Sequence, residues 1–386
     1  MDIRAVTIGI NNTAKKNLAS LKELINNISK FKLARKKRII TIRLLAEPFT
    51  IDGDNCIENS SILFERFENW RNILGATWFC IPYIFKRRVE VKEINKFLRF
   101  IMIKYDAAFI NFLINTNGAN NLHIMDNAGK IIKEIASLEK NGFANFKFGF
   151  SFNIKPHTPY FPFSYHEGKT GFSIAYELTK PILSIIEKNK LLDIVQLEHK
   201  IIKEIYELCN EEVNYFKQLK IESGFEFYGI DFSLAPMASI NSSVLGLLNT
   251  LNKYFFKSRR NMFLTYYLSN ILNVIAQQYG HPVGFNGVMY SVLEDKELCD
   301  LHVKRTLNID SLLAYSTMCG CGLDMIPVSG NISEKKLVAL LFEVYSISKK
   351  LKKPLGYRIL PIPQKKNSEM TEFDHPFLAN TKILKI

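Results

Sequence analysis

Short apolar runs alternate with longer amphipathic stretches along most of the chain. Residues 39–45 are a nearly continuous run of β-branched and aliphatic side chains, which is typical of a strand buried on both faces of a parallel sheet. In residues 18–28, leucine or isoleucine recurs every three or four positions, the spacing of an amphipathic helix. The same patterns predict ten strands, at residues 6–10, 39–45, 77–83, 107–113, 145–152, 226–230, 283–290, 312–317, 323–328 and 355–361.

Most of these strands are separated by predicted helices, which indicates a parallel sheet covered on both faces, or a closed barrel. No Pro/Gly/Ser-rich linker, low-complexity block or internal repeat divides the chain, so we predict a single α/β domain over residues 1–386. Predicted helices at residues 171–188 and 198–219 form a helical excursion near 171–219 on its outside. Ligands of parallel α/β folds bind where the strands end, so residues that follow strands are the candidates for function.

Composition narrows the class of protein. A hydrophobic content of 47% with 23% charged residues is that of a globular protein. Met1 is followed by Asp2 and Arg4 rather than by the apolar core of a signal peptide. The longest stretch without a charged residue, 261–293, contains Asn, Gln, Gly and Pro and is too polar for a bilayer span. We therefore expect a cytoplasmic protein with no membrane partner.

The net charge of +14 raises nucleic acid as a partner. The basic runs, however, stand beside predicted helix ends, where cations are favourable, and no nucleic-acid-binding motif accompanies them. We expect no nucleic-acid partner. The partners that we predict are a small-molecule ligand and a second copy of the chain in a homo-oligomer.

The segment 319–324, Cys-Gly-Cys-Gly-Leu-Asp, is the most informative stretch. Glycines alternating with cysteines between strand-like segments suggest unusual backbone angles or a close approach of two backbones. Cys319 is a candidate nucleophile if nearby cations favour its thiolate; the alternative is a small buried thiol in a tight turn. A lone Cys-Gly-Cys lacks the spacing of a zinc site. Asp324 then enters an apolar strand, where a carboxylate needs a partner.

Three further candidates follow predicted strands. Asp231 could ligate a metal, act as a base or orient another group; the alternative is a turn or helix-cap carboxylate. His166 lies in the proline-rich loop 155–168 and is either a pocket residue or a capping histidine of a surface loop. Glu294 precedes Asp295, and adjacent strand residues point to opposite faces, so the two are not expected to act as one acid/base pair. The alternative for Glu294 is the acidic first turn of a helix.

Arginines interrupt three of the apolar strands. Arg4, Arg43 and Arg358 should be buried or half-buried, and buried arginines need partners. One interpretation pairs Arg358 with Asp324 or Asp231. The other has the arginines receive a carboxylate or phosphate substrate through forked hydrogen bonds. The charged segment 365–372 that follows includes Glu369 and could close over the pocket.

Several of these segments together resemble the domain-of-unknown-function 711 family. The resemblance covers nearly the whole chain, and it implies a ten-stranded α/β barrel with helices outside, similar to pyruvate formate-lyase and its glycyl-radical relatives. Glycyl-radical chemistry is not expected, because Cys319 and Cys321 are not adjacent and the surroundings of Gly356 lack the lyase's glycine-loop signature. The residues that carry the resemblance are 3–10, 158–162, 165–168, 229–231, 287–289, 293–295, 319–324 and 369–373.

The leading hypothesis is an enzyme that acts on a small anionic metabolite by acid/base or metal-assisted chemistry. The cofactor stays open, with a divalent metal on Asp231 and Asp324 as the candidate. The alternatives are a non-catalytic ligand-binding or regulatory protein and a structural or assembling protein. The predicted site comprises Asp231, Asp324, His166, Glu294 and Cys319 as catalytic groups, and Arg4, Arg43, Arg358 and Glu369 as substrate-binding groups.

Overall fold

The computed structural model describes residues 1–11, 18–115, 118–239, 242–256, 260–280, 282–304 and 307–386. Within them, ten strands form one hydrogen-bonded sheet. In chain order the strands are β1 (Ile3–Ile10), β2 (Ile39–Ala46), β3 (Phe49–Ile51), β4 (Trp78–Phe85), β5 (Ala108–Leu113), β6 (Phe148–Phe152), β7 (Gly171–Tyr176), β8 (Glu226–Asp231), β9 (Gly322–Ser329) and β10 (Leu355–Ile362).

The order across the sheet is β8-β7-β1-β2-β4-β5-β6-β10-β9, with β3 paired to β4 beside this path. Strands β1, β2, β4, β5 and β6 run parallel to one another, and so do the neighbours β7 with β8 and β9 with β10. The junctions β1/β7 and β6/β10 are antiparallel. A wholly parallel sheet, one of the two arrangements expected from the sequence, is therefore not what forms. The two flanking pairs therefore run opposite to the central strands, and their carboxyl ends lie at the other end of the sheet.

The edge strands β8 and β9 are bridged by the irregular segment 282–291. Its backbone makes single parallel bridges to β8 and the residues after it, at Pro282 and Val288, and to β9 at Ser291. The predicted strand at 283–290 is thus extended chain, but not a regular strand. Gly284 and Asn286 have φ values of 75° and 47°, and such left-handed residues interrupt a ladder of hydrogen bonds.

The predicted strand at 312–317 is wrong, because these residues belong to a helix that spans Ile309–Ser316. Leucine and alanine favour a helix, and the Asn308 side chain accepts a hydrogen bond from the Asp310 backbone at its start. A short apolar run does not by itself distinguish a buried strand from a buried helix.

The predicted helix at 171–188 is also wrong in its first third. Residues 171–176 form β7, in which every side chain is buried, and helix begins only at Thr179. The helical excursion near 171–219 accordingly starts eight residues later than expected and extends to Ser223. The twelve α-helices of the described ranges are α1 (Leu18–Ala34), α2 (Ser61–Leu74), α3 (Val91–Lys104), α4 (Ala119–Asp126), α5 (Ala128–Ala136), α6 (Thr179–Lys188), α7 (Ile194–Ser223), α8 (Val244–Leu251), α9 (Asn261–Gln278), α10 (Lys296–Lys304), α11 (Ile309–Ser316) and α12 (Glu334–Leu351).

The two faces of the sheet belong to different apolar clusters. Neighbouring residues alternate between them: Leu44 packs in the large cluster that includes the helices, and Leu45 in a smaller one. Phe79 and Cys80 divide in the same way. The smaller cluster also contains Phe161 from the loop between β6 and β7, together with side chains of the chain's last segment. None of the helices in the described ranges combines the length and apolarity needed to cross a membrane.

The loop 153–170 between β6 and β7 runs along the face of the sheet that carries the smaller cluster, which we call the inner face. Its two arms are joined by the hydrogen bond from His157 N to Tyr165 O (2.8 Å), and His166 N donates to Ala46 O of β2 (2.9 Å). Glycines stand in the sheet at two points where the loop packs against it. A Cβ atom on Gly9 would lie 2.1 Å from His166 Nδ1, and one on Gly356 would lie 2.4 Å from the Phe163 ring.

We predict that Gly9→Ala lowers the free energy of unfolding by about 1–3 kcal/mol, because the new methyl group overpacks the contact with His166. Thermal or urea unfolding measures the loss. The matched control is Gly53→Ala, where a Cβ meets no atom within 4 Å and the change should stay below about 1 kcal/mol. Equal stability of the two variants would contradict the close packing of the loop.

Candidate functional site

A small cavity of about 40 Å³ lies against the inner face of the sheet. It opens near the starts of β1, β2, β4 and β5 and beyond the end of β8. One side is polar, and the other consists of aromatic rings. Five of the nine predicted site residues line it: Arg4, Arg43, Glu294, Asp324 and Arg358.

Arg358 and Asp324 form a buried, forked ion pair. Arg358 Nε donates to Asp324 Oδ1 (2.6 Å), and Nη2 donates to Oδ2 (3.0 Å). The third nitrogen, Nη1, donates to the Phe146 carbonyl (3.0 Å). This confirms the first of the two partners proposed for Arg358 from the sequence. The neighbouring strands β9 and β10 place both groups side by side, so neither charge is buried alone.

Arg4 is held by groups that the sequence did not indicate. Its Nη1 donates to Glu177 Oε2 (3.1 Å) and to the Ala235 carbonyl (2.9 Å), and Nη2 donates to the Pro236 carbonyl (2.6 Å). Glu177 follows β7, the antiparallel neighbour of β1, and this junction brings the two side chains together. Arg4 is therefore neutralised within the protein.

Arg43 differs from the other two arginines because no carboxylate pairs with it among the described residues. Its Nε donates to Thr41 Oγ1 (3.0 Å) and its Nη1 to the Pro159 carbonyl (2.7 Å). The guanidinium also lies 5.2 Å from the Trp78 ring and 5.4 Å from the Phe161 ring. Burial, together with the nearby cations, lowers its pKa to about 9, so the group stays charged at neutral pH. Its remaining N–H groups are therefore available to an incoming anion.

Glu294 faces the cavity, and its neighbour Asp295 faces away. A Glu294 oxygen lies 3.8 Å from Arg358 Nη2, beyond hydrogen-bonding distance, and its side chain is 17% exposed. Asp295 is buried and accepts from Ser243 Oγ (2.5 Å) and from the backbone N–H groups that begin α8 and α10. The expectation that these two carboxylates do not act as one pair agrees with this geometry.

Tyr160 was not among the predicted site residues, yet it lines the cavity beside Arg43 and Arg4. Its side chain is only 6% exposed, and its hydroxyl has no hydrogen-bond partner among the described residues. Burial raises the pKa of this hydroxyl well above its ordinary value, so it remains a proton donor. The signal in the sequence is the proline-rich loop, in which Tyr160 stands between Pro159 and Pro162, but the residue predicted from that loop is His166.

The opposite side of the cavity is a wall of aromatic side chains. Phe109 is central to it, with ring centroids 5.3 Å from Trp78, 5.3 Å from Phe146 and 5.7 Å from Phe161. Phe377 from the chain's last segment packs on Trp78 at 5.3 Å and completes the wall. A bound molecule would therefore meet charge on one side and apolar rings on the other.

Asp231 lies outside the residues that line the cavity. Its carboxylate accepts from Ser233 N (2.6 Å) and Phe285 N (2.7 Å), and a Cβ on Gly284 would lie 1.8 Å from one of its oxygens. Burial raises its pKa to about 6, although these hydrogen bonds oppose the rise. The geometry is that of the turn carboxylate offered as the alternative, and it stabilises the left-handed backbone at Gly284.

Cys319 and Cys321 are buried in the turn between α11 and β9 and do not line the cavity. The thiol of Cys321 and the ammonium of Lys353 lower the pKa of Cys319, against the effect of burial. Burial raises the pKa of Cys321. Lys353 Nζ donates to the carbonyls of Ser316 (3.2 Å) and Thr317 (3.1 Å) and so also ties the turn together.

His166 lies at the other end of the sheet, where the loop arms meet β1 and β2. Its Nδ1 lies 3.3 Å from His157 Nδ1, and the His157 ring stacks on Tyr228 with centroids 3.4 Å apart. Burial and the neighbouring His166 lower the pKa of His157 to about 3, so His157 is neutral at pH 7. The structure does not bring His166 to Asp324 or Glu294.

Glu369 is exposed and accepts a hydrogen bond from the Lys366 backbone, away from the cavity. The chain's last segment reaches the cavity through Phe377 instead. Among the described residues, no three His, Cys, Asp or Glu side chains converge in a way that could hold a metal ion. A metal on Asp231 and Asp324 stays a prediction.

A family model described as "Uncharacterised ACR (DUF711)" matches residues 91–374. The chain belongs to this family. The resemblance noted in the sequence motifs is thereby confirmed. Curated DUF711 relatives are named UPF0210 proteins. One from Pyrobaculum aerophilum is 23% identical over 94% of this chain and 85% of its own length, and one from Methanosarcina acetivorans is 22% identical over 97% and 86%.

We predict that Asp324→Ala in this DUF711 protein lowers the free energy of unfolding by about 3–5 kcal/mol, because it leaves the Arg358 charge buried without its partner. Denaturant unfolding measures the loss. Replacing both partners together, as Asp324→Leu with Arg358→Met, should recover part of it. The control is Glu134→Ala, which removes the half-buried partner of the exposed Arg99 and should cost less than about 1 kcal/mol.

The lowered pKa of His157 predicts that the free energy of unfolding decreases in acid. The pKa of His157 is about 3 in the folded protein, below the ordinary value of about 6.5 in an unfolded chain. Stability linked to this group is therefore present above pH 6.5 and declines as the pH falls toward 3. We expect His157→Asn, which suits the φ of 65° at this position, to flatten the dependence of the unfolding midpoint on pH in that range. The exposed His199→Asn should leave the wild-type curve unchanged.

Proposed function

We propose that this protein is an enzyme that binds a small anionic metabolite in the cavity and moves a proton with Glu294. One observation carries the proposal: Arg43 is a buried cation with no carboxylate partner among the described residues, beside a cavity. A guanidinium has five N–H donors, of which Thr41 and Pro159 use two here, leaving three. Forked N–H groups match a carboxylate or a phosphate.

The acid/base part of the proposal rests on Glu294. Its carboxylate faces the cavity, and no hydrogen bond links it to another described residue, whereas Asp324 and Glu177 are each hydrogen-bonded to an arginine. A general base must be able to reach the proton that it removes. Asp231, Cys319, His166 and Glu369 remain predicted site residues that the cavity does not support. Divalent-metal assistance and a homo-oligomer also remain predictions from the sequence.

The proposed architecture is a closed ten-stranded barrel like that of pyruvate formate-lyase, formed by one domain over residues 1–386. Two features support it. The segment 282–291 bridges both edge strands of the sheet, and the strands form oppositely directed groups that meet at antiparallel junctions. A barrel would enclose the loop 153–170 and the cavity at its tip.

The binding step is tested by titrating the full-length protein with butanoate and with inorganic phosphate, using calorimetry and thermal shift. We expect Arg43→Met to weaken binding of the preferred anion by about 30-fold or more, since the loss of one member of a buried charge pair costs about 2 kcal/mol or more. Arg99→Met, which removes an exposed arginine paired with Glu134, should bind as the wild type does. If neither anion binds, the proposal fails as a whole.

The catalytic step is tested separately. Wild-type protein and Glu294→Gln are incubated in D₂O with a mixture of small carboxylates and phosphate esters, and the mixture is followed by NMR. We expect the wild type to convert a component or to exchange one of its C–H protons. Glu294→Gln should bind the same anion without either change. Binding without conversion by the wild type would instead favour the non-catalytic ligand-binding alternative.

A further inference from the structure

We propose that the cavity selects a small monocarboxylate with an oxygen on the carbon next to the carboxylate, and that Tyr160 donates its hydroxyl to that oxygen. The inference rests on the anion site proposed above and adds the class of substrate and a binding residue. It starts from two unused donor groups in one cavity, on Arg43 and on Tyr160.

The balance of charge favours a monoanion. The cavity holds three guanidinium groups, and two of them, on Arg4 and Arg358, are hydrogen-bonded to carboxylates. Arg43 is the remaining cation, and Glu294 is the remaining carboxylate. A phosphate dianion would bring two negative charges to one available cation, close to Glu294. The three arginines and the three carboxylates already balance, so a carboxylate adds one net negative charge to the site and a phosphate dianion adds two.

Tyr160 lines the same cavity as Arg43, which makes its hydroxyl the candidate for the second contact. Arg43 Nη1 donates to the carbonyl of Pro159, the residue before Tyr160, so the guanidinium and the start of the tyrosine residue are held together. Thr41 fixes the guanidinium from the other side by accepting from Nε. A buried hydroxyl without a partner is costly, typically by about 1–3 kcal/mol, and a ligand oxygen next to the carboxylate would remove that cost.

The size and the walls of the cavity limit the rest of the molecule. The enclosed space is small, about 40 Å³, and favours a small molecule over a nucleotide or a sugar phosphate. Phe109 and its neighbouring rings face the charged groups across this space. A short apolar chain would pack there. The ligand class is therefore a short-chain 2-oxo or 2-hydroxy carboxylate.

Calorimetry with the full-length protein and four probes tests this: butanoate, 2-oxobutanoate, 2-hydroxybutanoate and inorganic phosphate. We expect at least one of the two oxygen-bearing acids to bind about 3- to 10-fold more tightly than butanoate, the contribution of one hydrogen bond. Whichever acid binds more tightly than butanoate shows whether the recognised oxygen is a carbonyl or a hydroxyl. Phosphate should bind more weakly than butanoate.

Tyr160→Phe should abolish the tighter binding of the oxygen-bearing acid. It should leave the affinity for butanoate unchanged within about twofold, because only the hydroxyl is removed. The matched control is Tyr105→Phe, which removes the hydroxyl of an equally buried tyrosine (5% exposed) that does not line the cavity. Its affinities should equal those of the wild type.

Three results would overturn the inference while leaving the proposed anion site intact. The first is equal binding of all three carboxylates by the wild type. The second is a parallel loss of butanoate binding in Tyr160→Phe, which would make Tyr160 a structural residue. The third is preferential binding of phosphate that Arg43→Met abolishes. Absence of binding by every probe would overturn the anion site as well.

Discussion

Three guanidinium groups lie on the inner face of the sheet, and the rest of the site depends on how each one is neutralised. Removing a charge from water costs several kcal/mol unless hydrogen bonds and an opposite charge replace the solvent. Asp324 does this for Arg358, and Glu177 with two carbonyl groups does it for Arg4. Among the described residues, Arg43 has carbonyl, hydroxyl and aromatic neighbours but no carboxylate within ion-pair distance. The site is thus defined by the one of these three guanidinium groups that no carboxylate pairs with among the described residues.

Two adjacent carboxylates divide structural and chemical roles. Asp295 holds the first turns of α8 and α10 through backbone N–H groups, which fixes the short 3₁₀ turn that carries both residues. Glu294 is consequently presented to the cavity by a rigid turn, although its own oxygens are not hydrogen-bonded. Rigid support beneath a reactive group is what a precise site requires.

Local pattern was sufficient for eight of the strands and for the pairing of Arg358 with Asp324, because both depend on short-range signals: apolar runs, and charges inside them. It failed where a short apolar run is ambiguous, as at 171–176 and 312–317. It also failed for contacts that only the sheet order creates. Glu177 meets Arg4 across an antiparallel junction between strands far apart in the chain, and no local pattern encodes that junction.

The sheet order also has a consequence for how the chain folds. Ile3 of β1 pairs with Tyr176 of β7, and Leu355 of β10 pairs with Phe152 of β6. Both junctions join residues that are more than 150 positions apart in the sequence, so their formation must overcome a large loss of chain entropy. Topologies dominated by such contacts fold slowly. During synthesis, β1 leaves the ribosome long before its antiparallel partner exists, and the apolar strands of the first half must stay unaggregated until residues 171–176 arrive.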